Sequence, residues 1–175
     1  SWKKSFINIK DYTGFTDSIL DSKNPSEKNI ISIETIIGHE HDIIADAFNL
    51  KPNARNDFVA ITYTNSFENS IISLSVSYIP LSLFPDIIDD INNNRDVLRG
   101  KYPLVPNTTR STLDVASTDQ RDAAYLNILP GQPLICINNI LYSKSGQPVE
   151  YIITKYRADK VKLQFENHKW TWNAI

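Results

Sequence analysis

Residues 145–159, SGQPVEYIITKYRAD, decide how this chain folds and raise the question of what it binds. The run from Pro148 to Arg157 alternates as a β-strand does, following a turn at Lys144–Gly146 and preceded by a second strand-like run, QPLICINNILYS. The two therefore read as an antiparallel hairpin. Alternation places Glu150, Ile152, Thr154 and Tyr156 on one side of the pleat, and Val149, Tyr151, Ile153, Lys155 and Arg157 on the other. Neither side is purely apolar. A side that mixes an acid, a hydroxyl and a phenol with aliphatic groups lines ligand pockets, where a few polar groups fix orientation. A half-buried strand with wet ends gives the same pattern. Six residues of straight strand also span about 20 Å, so one small ligand touches both Glu150 and Tyr156 only if the strand bends or the side chains lean inward.

Working outward, DFVAITYTN (57–65) and SIISLSVSYI (70–79) form another pair of alternating runs joined by a short polar segment. Ser73, Ser75 and Ser77 share one side of the second run, and Thr62 and Thr64 share one side of the first. Small hydroxyls in a row donate to an anionic or hydroxylated ligand without filling its space, although the solvent side of an edge strand would look similar. Strands are also expected at 29–37, at TTRSTLDVAS (108–117) and at KVKLQFE. Short helices are expected in HEHDIIADAFNL, in FPDIIDDI, in a segment after Thr13 carrying Phe15, Ile19 and Leu20, and in TDQRDAAYLNI, with Ser117 and Gln120 as a capping box. The stretch 92–106 reads as a polar, basic loop. Strands joined by hairpins with a few short helices define an α+β domain built on an antiparallel sheet.

The chain has 175 residues, 41% of them hydrophobic and 22% charged, which suits one domain with its own core. Its formal charge of −2 argues against a surface that neutralises many phosphates, so the chain is not expected to bind DNA by itself. It starts at Ser1 with no signal-peptide pattern and reads as an internal or processed piece of a longer cytoplasmic protein. One cysteine, Cys136 in the apolar run PLICI, rules out an internal disulfide and reads as a buried thiol. His39 and His41 alternate as metal ligands can, but no carboxylate or cysteine stands at ligand spacing, and no metal or cofactor is expected. Nucleophile elbows and glycine-rich phosphate loops are absent from the sequence.

The order of NPSEKNIISIE, DIIADAFNL, SYIPLSLFPDI, DAAYLNILPGQPLICI and SGQPVEYIITKYRADKVKLQF resembles the UTRA domain, the effector-binding half of GntR-type transcription regulators of the HutC subfamily. The branch it looks most like is that of the phosphonate-operon repressors (PhnF-like). The resemblance implies a chorismate lyase-like fold in a single domain at 29–166, after a linker and helical segment at 1–28 and before a tail at 167–175. It also implies a homodimer, and DNA contact only through a winged-helix domain upstream of this chain. The acid of the P-V-E motif and the tyrosine of the Y-R-A-D motif would contact the effector, and they fall on Glu150 and Tyr156. Thr62 and Thr64 stand where sugar-phosphate-binding members are expected to carry arginines, and Ser75 where a carboxylate is common. Arg95 and Arg110 would then supply charge from neighbouring segments. The expected effector site is thus Glu150, Tyr156, Thr154, Thr62, Thr64, Ser73, Ser75, Arg95 and Arg110, in a non-catalytic sensor of a small polar or anionic metabolite. Two alternatives stand beside it: an enzyme of the chorismate lyase type with Glu150 as acid or base, and a dimerisation module without a ligand.

Overall fold

The computed structural model describes residues 5–8, 27–93 and 108–164. A six-stranded antiparallel sheet carries the fold, in the order β2-β3-β4-β7-β6-β5. Its strands are β2 (Glu27–Ile37), β3 (Asp57–Phe67), β4 (Ser70–Pro80), β5 (Thr108–Ser117), β6 (Pro133–Tyr142) and β7 (Pro148–Arg157). The helices are α1 (Asp42–Phe48), α2 (Ile87–Asn92) and α3 (Gln120–Leu126). The result is the single α+β domain that the alternation of runs predicts. The expected helix after Thr13, all of the loop expected at 92–106 beyond Asn93, and the tail lie outside the described residues, while Asn92 ends α2.

Local chemistry explains most boundaries. β3 and β4 turn through Glu68 and Asn69, whose φ values of 49° and 64° suit the two-residue hairpin turn that follows the twist of its strands. α1 and α3 each end at an asparagine in the left-handed region, Asn49 and Asn127, so α1 stops before Pro52 is reached. The cap of α3 is a correction to the sequence reading. Asp119, not Ser117, caps it, its carboxylate accepting from Asp122 N at 2.7 Å, while Ser117 still belongs to β5. A second correction concerns the start of the chain. Ser5–Asn8 is a strand, β1, and pairs in parallel with β8 (Val161–Gln164) in a separate two-stranded sheet.

Cross-strand register assigns every strand residue to one of two faces, because directly opposed residues point the same way. The Tyr151 face is covered by α1 and α3. Ile44 packs there with Phe58 and Tyr151, and Leu126 with Leu74 and Leu134. Gly38 lies where a Cβ would come within 2.6 Å of the Phe58 ring and 2.7 Å of Leu50 Cδ1, so any larger residue would push α1 off the sheet. The Glu150 face is covered differently at its two ends. At one end Phe84 and Ile87 pack on Val59, Ile61, Ile79 and Ile152. At the other, Val161 of β8 packs on Ile137 and Tyr156.

Three bulges interrupt the alternation: one leaves Val149 as the extra residue of β7, packed with Leu141 and Ile152, and the other two decide which residues of β2 and β3 join the Glu150 face. In β4 the pairing passes from Ser66↔Ile71 to Asn65↔Ser73, leaving Ile72 as the extra residue. In β2 it passes from Ile30↔Tyr63 to Ser32↔Thr62, leaving Ile31 as the extra residue. Each bulge inverts the alternation on one side of itself. A slip of one residue moves a whole set of side chains to the other face.

Candidate effector site

Between the two apolar ends of the Glu150 face runs a polar strip. The register places Ser73 opposite Tyr156, Ser75 opposite Thr154 and Ser77 opposite Ile152. On the far side of β7, Asn139 stands opposite Ile152, and Leu141 opposite Glu150. On the near side, β3 contributes Tyr63 beside Ser75 and Ile61 beside Ser77. The hydroxyls are linked to one another: Ser75 Oγ and Thr154 Oγ1 share a hydrogen bond of 3.0 Å, and Tyr63 Oη and Ser77 Oγ one of 3.2 Å. At the β5 edge Ser111 Oγ donates to Asn139 Oδ1.

These groups are buried although they are polar. Glu150 is 1% exposed, Ser73 1% and Asn139 0%. Ser73 Oγ and Asn139 Nδ2 have no hydrogen-bond partner among the described residues. A buried donor without an acceptor costs about 1–3 kcal/mol, so such atoms mark where an acceptor-bearing ligand would be welcome.

Of the residues expected from sequence, Glu150, Thr154, Tyr156, Ser73 and Ser75 come together on this face. Thr62 and Thr64 do not. They pair with Val76 and Leu74 and belong to the Tyr151 face. The β3 residues on the Glu150 face are Tyr63 and Asn65. A bulge-free hairpin through Glu68–Asn69 would have set Thr64 opposite Ser73 and Thr62 opposite Ser75; the extra Ile72 shifts them apart. Arg110 is also elsewhere, exposed and opposite Ile140 on the Tyr151 face. Arg95 lies outside the described residues.

The cation missing from that reading is Lys28. Alternation back from Ile33 would send Lys28 to the Tyr151 face, but the bulge at Ile31 sets it opposite Asn65, in the same cross-strand row as Ser73 and Tyr156. Its ammonium lies 4.7 Å from the centroid of the Tyr63 ring, a cation–π contact. Burial lowers its pKa to about 8, against the opposing pull of the Glu150 carboxylate. Of the Lys and Arg residues in the six strands, Lys28 alone stands on the Glu150 face; Arg110, Lys155 and Arg157 stand on the other.

The Tyr151 face has its own polar groups, among them Asn138, whose Oδ1 is buried with no hydrogen-bond partner among the described residues. Lys155 pairs with Asp122 of α3 across the sheet. The half-buried Cys136 thiol is pushed up by burial, which disfavours the reactive thiolate. Among the described residues no group of His, Cys, Asp and Glu could hold a metal ion, and no helix is long and apolar enough to cross a membrane.

An antiparallel sheet with helices packed on one face and buried polar groups on the other makes this an α+β domain with one closed and one polar face. The chain belongs to the UTRA domain family, whose family model matches residues 26–162. The fold is shared by the effector domain of PhnF from Mycobacterium smegmatis, which is 16% identical over 89% of this chain and 94% of its own, with a TM-score of 0.74. It is also shared by the C-terminal domain of YurK from Bacillus subtilis, 21% identical over 79% of this chain and 95% of its own, with a TM-score of 0.72. A GntR-family transcriptional regulator from Enterococcus faecalis V583 is 19% identical over 81% of this chain and 100% of its own, with a TM-score of 0.71. No curated protein matches the sequence.

Proposed function

We propose that this chain is the ligand-sensing and dimerisation domain of a cytoplasmic transcription regulator, and that a small polar or anionic metabolite binds the strip on the Glu150 face. The domain would span 29–166, between a linker and a tail, and pair as a homodimer; Leu113 and Val115, exposed on the edge strand β5, are consistent with a second copy nearby. The effector would alter DNA binding by an upstream winged-helix domain through its differential affinity for two arrangements of the dimer. UTRA membership and the regulators that share the fold support the sensor role.

The observation that carries the site is the buried strip itself, with Ser73 Oγ and Asn139 Nδ2 lacking acceptors among the described residues. That favours a ligand-binding domain over a bare dimerisation module. The lyase alternative calls for several cations around a dicarboxylate, whereas the strands bring one, Lys28, to this face.

A thermal-shift screen with phosphate, phosphonates, sugar phosphates, aromatic acids and neutral sugars tests the reading. A ligand that binds the native state raises the melting temperature. Glu150→Ala and Tyr156→Ala should each weaken any hit at least tenfold by calorimetry. Unchanged affinity in both would remove the site from this face, and pyruvate release from chorismate would replace the sensor with an enzyme.

A further inference from the structure

We propose that Lys28 determines the ligand class of this site: it holds an anionic group of the effector beside Ser73, while Glu150 accepts from a hydroxyl or ammonium group of the same molecule. The inference rests on the site proposed above. It goes further by committing to an organic anion that also carries a hydrogen-bond donor.

Three observations on the Glu150 face converge. The first is position. The bulge at Ile31 has the effect of turning a lysine inward at the one strand where the Glu150 face gains a cation, and bulges commonly re-aim side chains at functional sites. The second is the neighbourhood. Lys28 lies over Tyr63, whose hydroxyl is tied to Ser77, so the ammonium has a fixed platform at the edge of the hydroxyl strip. In its own cross-strand row is Ser73 Oγ, 1% exposed and lacking an acceptor among the described residues. An anionic oxygen placed between them would take a charge-assisted bond from the ammonium and a second from the hydroxyl. The third is polarity along the strip. Glu150, an acceptor when ionised, stands six residues from Tyr156 on β7, about 20 Å along a straight strand, yet its charge acts on the Lys28 ammonium, so the two side chains lean toward each other over the face and one ligand meets a donor end and an acceptor end.

Burial supports the assignment by making the cation responsive. Among the described residues the charge acting on Lys28 is Glu150, from β7, and the ring facing it is Tyr63, from β3. With its pKa lowered to about 8, Lys28 gives up part of its charge as the pH rises through 8.5 in the empty site. An anion beside it favours the charged form, so binding at that pH takes up a proton.

The test uses the 175-residue chain with two anion arms, glycerol 3-phosphate and inorganic phosphate in one, malate in the other, and glycerol as the neutral control. Melting temperatures at pH 7 and calorimetry at pH 8.5 in two buffers of different ionisation enthalpy are measured for wild type, Lys28→Met, Lys28→Arg and Thr154→Val. The proposal expects at least one arm to bind wild type and glycerol not to bind. It expects a tenfold or greater loss in Lys28→Met, retention within about threefold in Lys28→Arg, and buffer-dependent proton uptake that vanishes in Lys28→Met. Binding lost in Thr154→Val but unchanged in Lys28→Met overturns the role of Lys28 and keeps the site. Glycerol binding as well as the anions does the same. No binding by any probe overturns the proposal for Lys28, and failure of the wider ligand screen as well would overturn the site reading.

Discussion

The two faces of the sheet are built from the same strands and do different work. The Tyr151 face is closed by helices: Phe58 is buried against α1 with its ring edge-to-face on Phe48 at 4.7 Å, and Leu74 and Leu134 are buried against α3. Of its cations, Lys155 has a carboxylate partner in Asp122 and Arg157 one in Asp159, while Arg110 is exposed. The Glu150 face interleaves buried aliphatic groups such as Ile152, Ile137 and Leu141 with buried hydroxyls, an amide and a carboxylate, and adds a half-buried lysine. Burying a polar atom opposes stability unless it is paired, and Ser73 Oγ and Asn139 Nδ2 have no partner among the described residues, which is what supports the proposed ligand site on this face. With the proposed site on the Glu150 face, the difference teaches that stability and recognition would be divided by face, not by segment.

The division can be broken at its strongest point. Phe58→Ala should lower stability by about 3–5 kcal/mol in denaturant titration, because it empties a buried ring site, yet leave ligand affinity of the folded fraction unchanged. A parallel loss of affinity would mean the faces are not separable.

A smaller effect sharpens the other side. The folded-state pKa of Lys28 lies below its unfolded value of 10.5, so between about 8 and 10.5 the unfolded chain binds more protons. Stability contributed at this position therefore rises as pH increases through that window, and it is lowest where Lys28 is charged in both states. Denaturation midpoints across pH 7.5–10.5 should show this rise in wild type and a flatter profile in Lys28→Met, scaled by what the other titrating groups contribute. An equal slope in both would place Lys28 in solvent.

Much of this was legible in the sequence. Strand runs rich in Ile, Val and Thr, the punctuation by Gly146 and Pro52, and the alternation within β7 gave the elements and put Glu150, Thr154 and Tyr156 on one face. Three things were not legible, each for a physical reason. β1 is four residues long and pairs with β8 from the far end of the chain, so no local pattern announces it. The cap of α3 depended on where β5 ends: Ser117 stays in the strand, and Asp119, two positions on, takes the cap. Most important, alternation fixes faces within a strand but not between strands. Thr62 and Thr64 went to the wrong face, and Lys28 was missed, because Ile72 and Ile31 each add a residue that periodicity alone does not reveal. A lysine close before a β-branched strand was the only available signal.

One matched pair of substitutions tests the division most directly. Thr154→Val and Thr62→Val remove the same hydroxyl from the same sheet, the first on the Glu150 face where Thr154 bonds Ser75, the second on the Tyr151 face. Thr154→Val is expected to cost about 1–2 kcal/mol of stability through the lost bond. With the best probe from the ligand screen, calorimetry should show Thr154→Val losing at least tenfold in affinity and Thr62→Val binding as wild type does. Equal losses in the two, or a loss confined to Thr62→Val, would contradict the assignment of recognition to the Glu150 face.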